Sequence, residues 1–168
     1  MSVILIRIDD RLIHGQVVEG WVKRFRIDHI VVCNDDVAGD IMQKNLLRLA
    51  VPPHIKASIL TLSECVEYFL EGMFEKGRVM LLISSPSVAF ELMERGININ
   101  EINVGVMHYM LGKKQILNSI SVSDEDIRIF RELAKRGVKL EARTLPGDEK
   151  FDLLKCIENK CLENIEED

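Results

Sequence analysis

The sequence predicts an α/β fold: a single domain with an open, twisted, mostly parallel sheet, helices on both faces and a short antiparallel edge element. Two observations predict it. Short apolar runs alternate along the chain with amphipathic segments of roughly ten or more residues, which is the pattern of parallel strands joined by crossover helices. The chain of 168 residues also has room for one sizeable core, and it shows no internal repeat or linker.

The first half of the chain alternates strand patterns with helix patterns. In order, they cover residues 3–8 (strand), 15–25 (helix), 27–33 (strand), 37–50 (helix), 56–60 (strand) and 61–75 (helix). The strands are short apolar runs of the kind that a parallel sheet buries on both faces. In the first helix, Val17 and Trp21 share one apolar face. Pro52 stops the second helix, and Thr61 with Glu64 forms a capping box for the third.

The second half continues the alternation and adds a short element. In order, the patterns cover residues 79–84 (strand), 86–96 (helix), 102–106 (strand), 113–122 (a short hairpin or irregular edge), 123–137 (helix), 138–142 (strand) and 150–163 (helix). Ser85 caps the fourth helix and Pro86 takes its first position. Ser123, with Asp126 three residues further on, caps the fifth helix, and Gly137 closes it.

The composition argues against several classes of protein. Hydrophobic residues make up 47% and charged residues 29%, a normal balance for a globular chain. No segment approaches the roughly 20 apolar residues of a membrane span, and the N-terminal apolar run is too short for a signal peptide, so we expect a cytoplasmic protein. The net charge of −5, without a long basic run, argues against nucleic-acid binding. We expect one domain over residues 1–163 and an acidic tail over 164–168 that frays.

The four cysteines are expected to act as small buried hydrophobes in a reducing compartment. Cys33, Cys65, Cys156 and Cys161 form no Cys-x-x-Cys pair and no zinc-site spacing. Their neighbours are largely apolar, which favours burial. The sequence therefore predicts no metal site, and it predicts no cofactor.

Parallel sheets build their sites in the loops that follow the strands, at the carboxyl ends. The first such loop is the most informative. His14 lies between the first strand and a helix start, so it is predicted to be exposed at this edge of the sheet. The N–H groups of Gly15, Gln16 and Val17 have no partner within the helix, and the helix dipole favours an anion beside them.

Charged side chains flank His14. Arg11 offers forked donors to phosphate oxygens, and Asp9 or Asp10 orients Arg11 or the imidazole. Neutral imidazole is a nucleophile near neutral pH, and phosphoryl transfer chiefly needs alignment and charge stabilisation, so these residues suit phosphoryl transfer through His14. The residues alone leave open a second interpretation, a polar strand–helix loop with a capping histidine. His108, after the fifth strand, either holds phosphate or orients a substrate hydroxyl, or else only stabilises a turn.

The same stretch resembles the signature of a known family. Residues 7–17, Arg-Ile-Asp-Asp-Arg-Leu-Ile-His-Gly-Gln-Val, followed by Trp21, resemble the mannose/fructose/sorbose-type enzyme IIB proteins of bacterial sugar phosphotransferase systems. Val106 and the loop over 84–86 depart from the family's pattern. The resemblance extends over nearly the whole chain through Asn34, Asp35, Ala38, Asp40, Leu46, Ala50, Pro52, Glu101, Asn103, Gly105, Met107, His108, Gly112, Lys113, Gly137, Val138, Glu141, Arg143, Pro146 and Asp148.

The resemblance implies an enzyme, the IIB component of a protein-Nπ-phosphohistidine–sugar phosphotransferase, with the open α/β sheet predicted above. Its histidine takes a phosphoryl group on Nδ1 from a phosphohistidine of enzyme IIA. It then passes the group to a sugar bound by the membrane subunits IIC and IID, at the inner face of the membrane. Whether the chain forms a homodimer is left undecided by the sequence. The expected site residues are His14 as phosphohistidine, Arg11 as catalytic partner, Gly15, Gln16 and Val17 as phosphate-binding amides, and Asp9, Asp10 and His108 in support.

Two other functions stay open at this point. A regulatory phosphocarrier of the same fold, without a sugar acceptor, is compatible with the departures at Val106 and at residues 84–86. A nucleotide- or cofactor-binding domain is disfavoured, because no Gly-x-Gly-x-x-Gly follows the first strand and residues 112–114 lack the rest of a P-loop.

Overall fold

Strands and helices alternate in the computed structural model, which describes the backbone of residues 3–166 and the side chains of residues 3–160. The strands are β1 (Val3–Asp9), β2 (His29–Cys33), β3 (Lys56–Leu60), β4 (Val79–Ile83), β5 (Glu101–Val106), β6 (Lys114–Leu117), β7 (Ile120–Val122), β8 (Lys139–Ala142) and β9 (Phe151–Asp152). Helix α1 has a π-helical part (Val17–Val22) and a final α-helical turn (Lys23–Phe25). The other helices are α2 (Asp35–Ala38), α3 (Ile41–Leu49), α4 (Leu62–Leu70), α5 (Pro86–Glu94), α6 (Asp124–Lys135) and α7 (Leu153–Glu166).

Strand order places the end of β1 in the middle of one large sheet. Within the described residues, seven strands form this sheet in the order β3-β2-β4-β1-β5-β8-β9, and β6 and β7 form a separate hairpin. All neighbours in the large sheet are parallel except β8 and β9, so the predicted fold class is confirmed. The chain leaves β1 toward β2 on one side and leaves β5 toward β8 on the other. A crevice therefore opens at the carboxyl ends of β1 and β5, where such sheets bind ligands.

A buried apolar cluster covers each face of the sheet. On one face, Trp21 of α1 belongs to a cluster with Ile30 of β2 and Met80 of β4. On the other face, Leu81 of β4 belongs to a larger cluster that includes Phe130 of α6. Met80 and Leu81 reach opposite faces because side chains alternate along a strand, and all of β4 is buried. The strand ends that carry the loops are thus held by a core on both sides.

The second and third predicted helices differ from the observed ones. The single helix predicted over 37–50 is wrong, since the chain forms α2 and α3 instead. Asp40 interrupts it, because its Oδ1 accepts hydrogen bonds from the backbone N–H of Met42 (2.9 Å) and Gln43 (3.1 Å) and so caps α3. The helix predicted over 61–75 ends at Leu70, and Gly72 follows with a φ of +71°.

The antiparallel elements are the hairpin and the edge strand β9. The predicted hairpin over 113–122 is present as β6 and β7, but it lies outside the large sheet and contacts its carboxyl edge through a bridge between Met107 and Ile120. The antiparallel edge strand of the large sheet is β9, which occupies part of the segment predicted as a helix over 150–163. Two residues are too few for a periodic pattern to show.

The C-terminal segment and the cysteines agree with expectation in part. Helix α7 runs to Glu166, through part of the segment 164–168 that was predicted to fray, and residues 167–168 lie outside the described residues. Cys33 and Cys65 are buried free thiols as predicted, Cys156 is half-buried, and the side chain of Cys161 is outside the described set. Among residues 3–166, no helix has both the length and the apolar character needed to cross a bilayer.

Candidate functional site

The loop between β1 and α1 is anchored by two apolar side chains and presents a histidine. Leu12 and Ile13 are buried in the core on the α1 side. Leu12 adopts a left-handed φ of +58°, and its N–H donates to the carbonyl of Asp9 (2.9 Å). That conformation costs a non-glycine residue about 1–2 kcal/mol, which the burial of the leucine side chain offsets. The turn leaves the following His14 side chain 18% exposed at the edge of the sheet.

A buried carboxylate at the end of β1 holds one nitrogen of His14. The Nε2 of His14 lies 2.9 Å from Oδ2 of Asp9, whose side chain is fully buried. Burial alone raises the pKa of Asp9, but the hydrogen bond to His14 and the positive charge of Arg7 outweigh burial and hold this pKa below its ordinary value. The ionised carboxylate only accepts hydrogen bonds, so the ring proton lies on Nε2. The Nδ1 of His14 has no hydrogen-bond partner within the described part of the chain.

Three backbone amides directly follow His14 at the start of the first helix. The first helical hydrogen bond runs from Val18 N to the carbonyl of His14 (3.1 Å). The N–H groups of Gly15, Gln16 and Val17 therefore precede the hydrogen-bonded ladder of α1, as the sequence predicted. Such N–H groups carry the partial positive charge of a helix start.

Arg11 is tied to the same carboxylate as His14. Its backbone N donates to Oδ1 of Asp9 (3.2 Å), and its Nε lies 3.5 Å from that oxygen. Its Nη2 donates to Oε1 of Gln16 (3.0 Å). The Arg11 side chain is 36% exposed, so further guanidinium N–H groups are accessible from the crevice. Of the two aspartates proposed to orient the imidazole or Arg11, Asp9 contacts both.

Asp10 has a different partner. Its Oδ2 accepts the backbone N–H of His108 (2.7 Å), and its Oδ1 lies 2.7 Å from Nδ1 of the same histidine. Its own N–H donates to the carbonyl of Val106 (3.1 Å). The pair of Asp10 and His108 therefore joins the loop after β1 to the loop after β5. Asp10 contacts neither Arg11 nor the imidazole of His14 in the described residues, so of the two alternatives Asp9 is the aspartate in contact with them.

An open cleft of about 440 Å³ lies over the carboxyl ends of β1 and β5. Arg11, Gln16 and His108 form part of its wall, together with Ser119 and Thr144. The hydroxyl of Ser119 donates to the carbonyl of Gly105 (2.8 Å) and lies 2.9 Å from the hydroxyl of Thr144.

Sequence reasoning missed both hydroxyl residues of the cleft. Ser119 lies in the turn of the β6–β7 hairpin, and Thr144 follows β8. The loop after β8 is one of the carboxyl-end loops of the sheet, so the rule that selected the other loops would also have found Thr144. No pattern in the sequence predicts that the turn of the β6–β7 hairpin lies at this edge of the sheet.

Behind Asp9 lies a second, buried layer of polar side chains that the sequence also did not reveal as a unit. Arg7 contacts Asp9, and its Nη1 donates to Oδ1 of Asn103. Nδ2 of Asn103 donates to Oε1 of Glu141 (3.1 Å), and the Nε of Arg143 lies 2.8 Å from the same oxygen as an ion pair. This layer links β1, β5 and β8 beneath the site.

Comparison with known proteins identifies the family of this chain. A family model described as the IIB component of the sorbose subfamily of phosphotransferase systems matches residues 3–168. The chain belongs to this family of IIB components. IIB components of these systems are phosphotransferases, so this chain takes part in phosphoryl transfer in a sugar phosphotransferase system.

Individual relatives match this IIB component over most of its length. It is 40% identical over 159 residues to the fructose-specific EIIB component of Bacillus subtilis (strain 168), covering 95% of this chain and 98% of the relative. It is 38% identical over 157 residues to the mannose-specific EIIAB component of Escherichia coli (strain K12), covering 94% of this chain and 49% of that longer protein. The crystal structure of the IIBSor domain of the sorbose permease from Klebsiella pneumoniae matches with a TM-score of 0.90 and 37% identity, covering 95% of this chain and 98% of that one.

Proposed function

We propose that this IIB component carries a phosphoryl group on Nδ1 of His14, accepts it from a phosphohistidine of a IIA protein and delivers it to a sugar bound by membrane subunits IIC and IID. The observation that carries this proposal is the arrangement of the two ring nitrogens. Asp9 occupies Nε2 at 2.9 Å. Nδ1 has no hydrogen-bond partner within the described residues, so its lone pair is not engaged by the protein. A neutral imidazole held in one tautomer is ready to attack phosphorus.

The surroundings of His14 supply the charge stabilisation that transfer requires. The amides of Gly15, Gln16 and Val17 directly follow His14 in the chain and are available to hydrogen-bond a phosphoryl group on its ring. Arg11, held by Asp9 and Gln16, offers further guanidinium donors. Hydrogen bonds that involve a charged group each contribute about 1.5–3 kcal/mol, and such preorganised donors are the main requirement of a loose phosphoryl-transfer transition state.

The apolar rim of the cleft supports the proposal that this chain binds partner proteins. Tyr109, Met110 and Leu111 follow His108 directly and are exposed, Leu111 by 98%. Consecutive exposed apolar side chains are typical of surfaces that bind other proteins. The EIIAB relative named above contains a IIA and a IIB part in one chain, which supports a IIA phosphodonor. On this proposal, residues 1–163 act as one phosphocarrier domain that works in the cytoplasm at the inner face of the membrane.

Site mapping of the phosphoryl group tests the proposal. The purified chain is incubated with a phosphorylated IIA protein and a radioactive label, and the acid-labile phosphate is located by peptide mapping. The wild-type chain is expected to take up one label per chain on His14, and a His14→Ala variant none. His54→Ala is the matched control, because His54 is an exposed loop histidine outside the cleft, and it should label like the wild type. Stoichiometric labelling of His14→Ala would refute the proposal.

A further inference from the structure

Arg7 is an arginine buried directly behind the carboxylate that holds His14. Its side chain is 1% exposed, and its Nη2 donates to Oδ2 of Asp9 (3.2 Å), the oxygen that also contacts Nε2 of His14. Its guanidinium also donates to the backbone carbonyls of Arg143 and Thr144, both at 3.0 Å. Burial lowers the pKa of Arg7 to about 10, so the side chain remains a cation at neutral pH.

The neighbouring strand is shaped to receive this guanidinium. A Cβ atom on Gly105 of β5 would lie 1.9 Å from Nη2 of Arg7. The guanidinium carbon also lies 4.6 Å from the ring centre of Trp21, a favourable cation–π distance. The position of the charge is therefore fixed by β5 and α1 together.

The placement matters because a lone buried carboxylate would act against the chemistry at His14. A carboxylate at 2.9 Å stabilises the doubly protonated imidazolium, which has no lone pair with which to attack phosphorus. A fixed cation on the far side of the same carboxylate opposes that effect. We infer that Arg7 is a positioning residue that keeps His14 neutral and nucleophilic, by balancing the charge of Asp9 and holding its Oδ2 in place. This inference rests on the proposed function.

Other charged groups near His14 are less suited to this task. Arg11, from the same loop, lies 3.5 Å from Asp9 but is 36% exposed, so water screens its charge more strongly. Across the crevice, Asp10 and His108 pair with each other.

The charged side chains behind Arg7 form ion pairs with one another. Glu141 of β8 contacts Arg143 at 2.8 Å and Lys150 at 3.5 Å. Arg7 is thus the buried cation that contacts Asp9 within the described residues.

The test compares two substitutions that differ in charge. Arg7→Gln removes the positive charge and keeps hydrogen-bonding groups. Arg7→Lys keeps the positive charge and loses the forked N–H donors of the guanidinium. Phosphorylation of His14 by phosphoramidate is measured across pH 5–9. In this step Nδ1 attacks phosphorus, the P–N bond of the donor breaks, and ammonia leaves. This small donor needs no protein docking, and its own titration is common to all variants.

Each variant has a distinct expected profile. For Arg7→Gln, the midpoint of the rising limb of the pH–rate curve moves to higher pH by about one unit. The phosphorylation rate at low pH therefore falls about tenfold, and it recovers at high pH. For Arg7→Lys, the midpoint stays within a few tenths of a unit of the wild type and the rate falls at every pH. An Arg7→Gln profile that is lowered uniformly, with an unchanged midpoint, would show that Arg7 is merely structural and would overturn the inference.

A second measurement covers the case in which Arg7→Gln does not fold. The ¹⁵N NMR signals of the wild-type His14 ring at pH 7.5 should show a neutral ring with the proton on Nε2, and a doubly protonated ring would overturn the inference. If the wild-type chain itself takes no label on His14, the proposed function fails. If the wild type labels normally and Arg7→Gln keeps the wild-type midpoint, only the role of Arg7 fails.

Discussion

Replacing Gly105 by alanine tests whether the buried arginine layer stabilises the fold. Alanine is intrinsically better than glycine inside a strand by about 0.5–1 kcal/mol, so without a steric conflict this change would stabilise the protein. The new Cβ, however, would lie 1.9 Å from Nη2 of Arg7 and 2.0 Å from its central carbon. The guanidinium has to move, and its contacts to Asp9, Asn103 and the carbonyls of residues 143 and 144 are lost or strained.

The expected size of the effect follows from those contacts. Breaking a buried charge pair by displacing one partner costs about 3–5 kcal/mol. After subtraction of the intrinsic gain of alanine, the Gly105→Ala variant should lose about 2–4 kcal/mol of unfolding free energy, measured by urea denaturation. Gly147→Ala is the matched control, because a Cβ there meets nothing within 4 Å, and it should stay within about 0.5 kcal/mol of the wild type.

A double-mutant cycle identifies the clash as the cause. If the guanidinium is what the new Cβ displaces, combining Gly105→Ala with Arg7→Ala should cost clearly less than the sum of the single changes, with a coupling of about 1–3 kcal/mol. A Gly105→Ala protein as stable as the wild type, or strictly additive single effects, would refute the packing argument.

Two further predictions concern the aspartates of the first loop. The folded pKa of Asp9 lies below its ordinary value of 3.8, so Asp9 contributes stability that is present above about pH 4 and is lost as pH falls through the folded pKa. Asp9→Asn should therefore be about 3 kcal/mol less stable than the wild type at pH 7, and the difference should narrow toward pH 2 in urea denaturation; a gap that does not change with pH would contradict this. Asp10→Ala should release the loop of His108, and it should slow phosphorylation by a IIA protein severalfold while leaving phosphorylation by phosphoramidate nearly unchanged. Equal slowing with both donors would mean that Asp10 acts on the chemistry itself.

The sequence predicted the fold better than the bounds of its elements. Strong apolar runs such as the one at β4 were recognisable because both of its faces are buried. The break between α2 and α3 at Asp40 was missed because the residues on both sides of it favour a helix. The capping role of Asp40 is visible only in its hydrogen bonds to Met42 and Gln43. The edge strand β9 was missed because its two residues show no period and pair only with a distant strand.

The candidate site was predictable where it is local in the chain. His14, Arg11 and the amides that open α1 lie within one loop, and the strand–loop–helix pattern predicts that they meet. The choice between Asp9 and Asp10 was not local, because adjacent residues at a strand end point in different directions. Asp9 points into the buried layer and contacts His14, whereas Asp10 reaches across the crevice to His108.

By itself, the sequence determined an open α/β sheet, the position of His14 in the first loop at its carboxyl edge and, through the order of its motifs, membership of a family of phosphotransferase components. Only the tertiary structure decided which groups stand behind that histidine. Arg7, Asn103 and Glu141 come from three strands that are far apart in the chain and adjacent in the sheet. Strand order sets their contacts, and strand order depends on how all the helices and strands share one core, which no local pattern specifies.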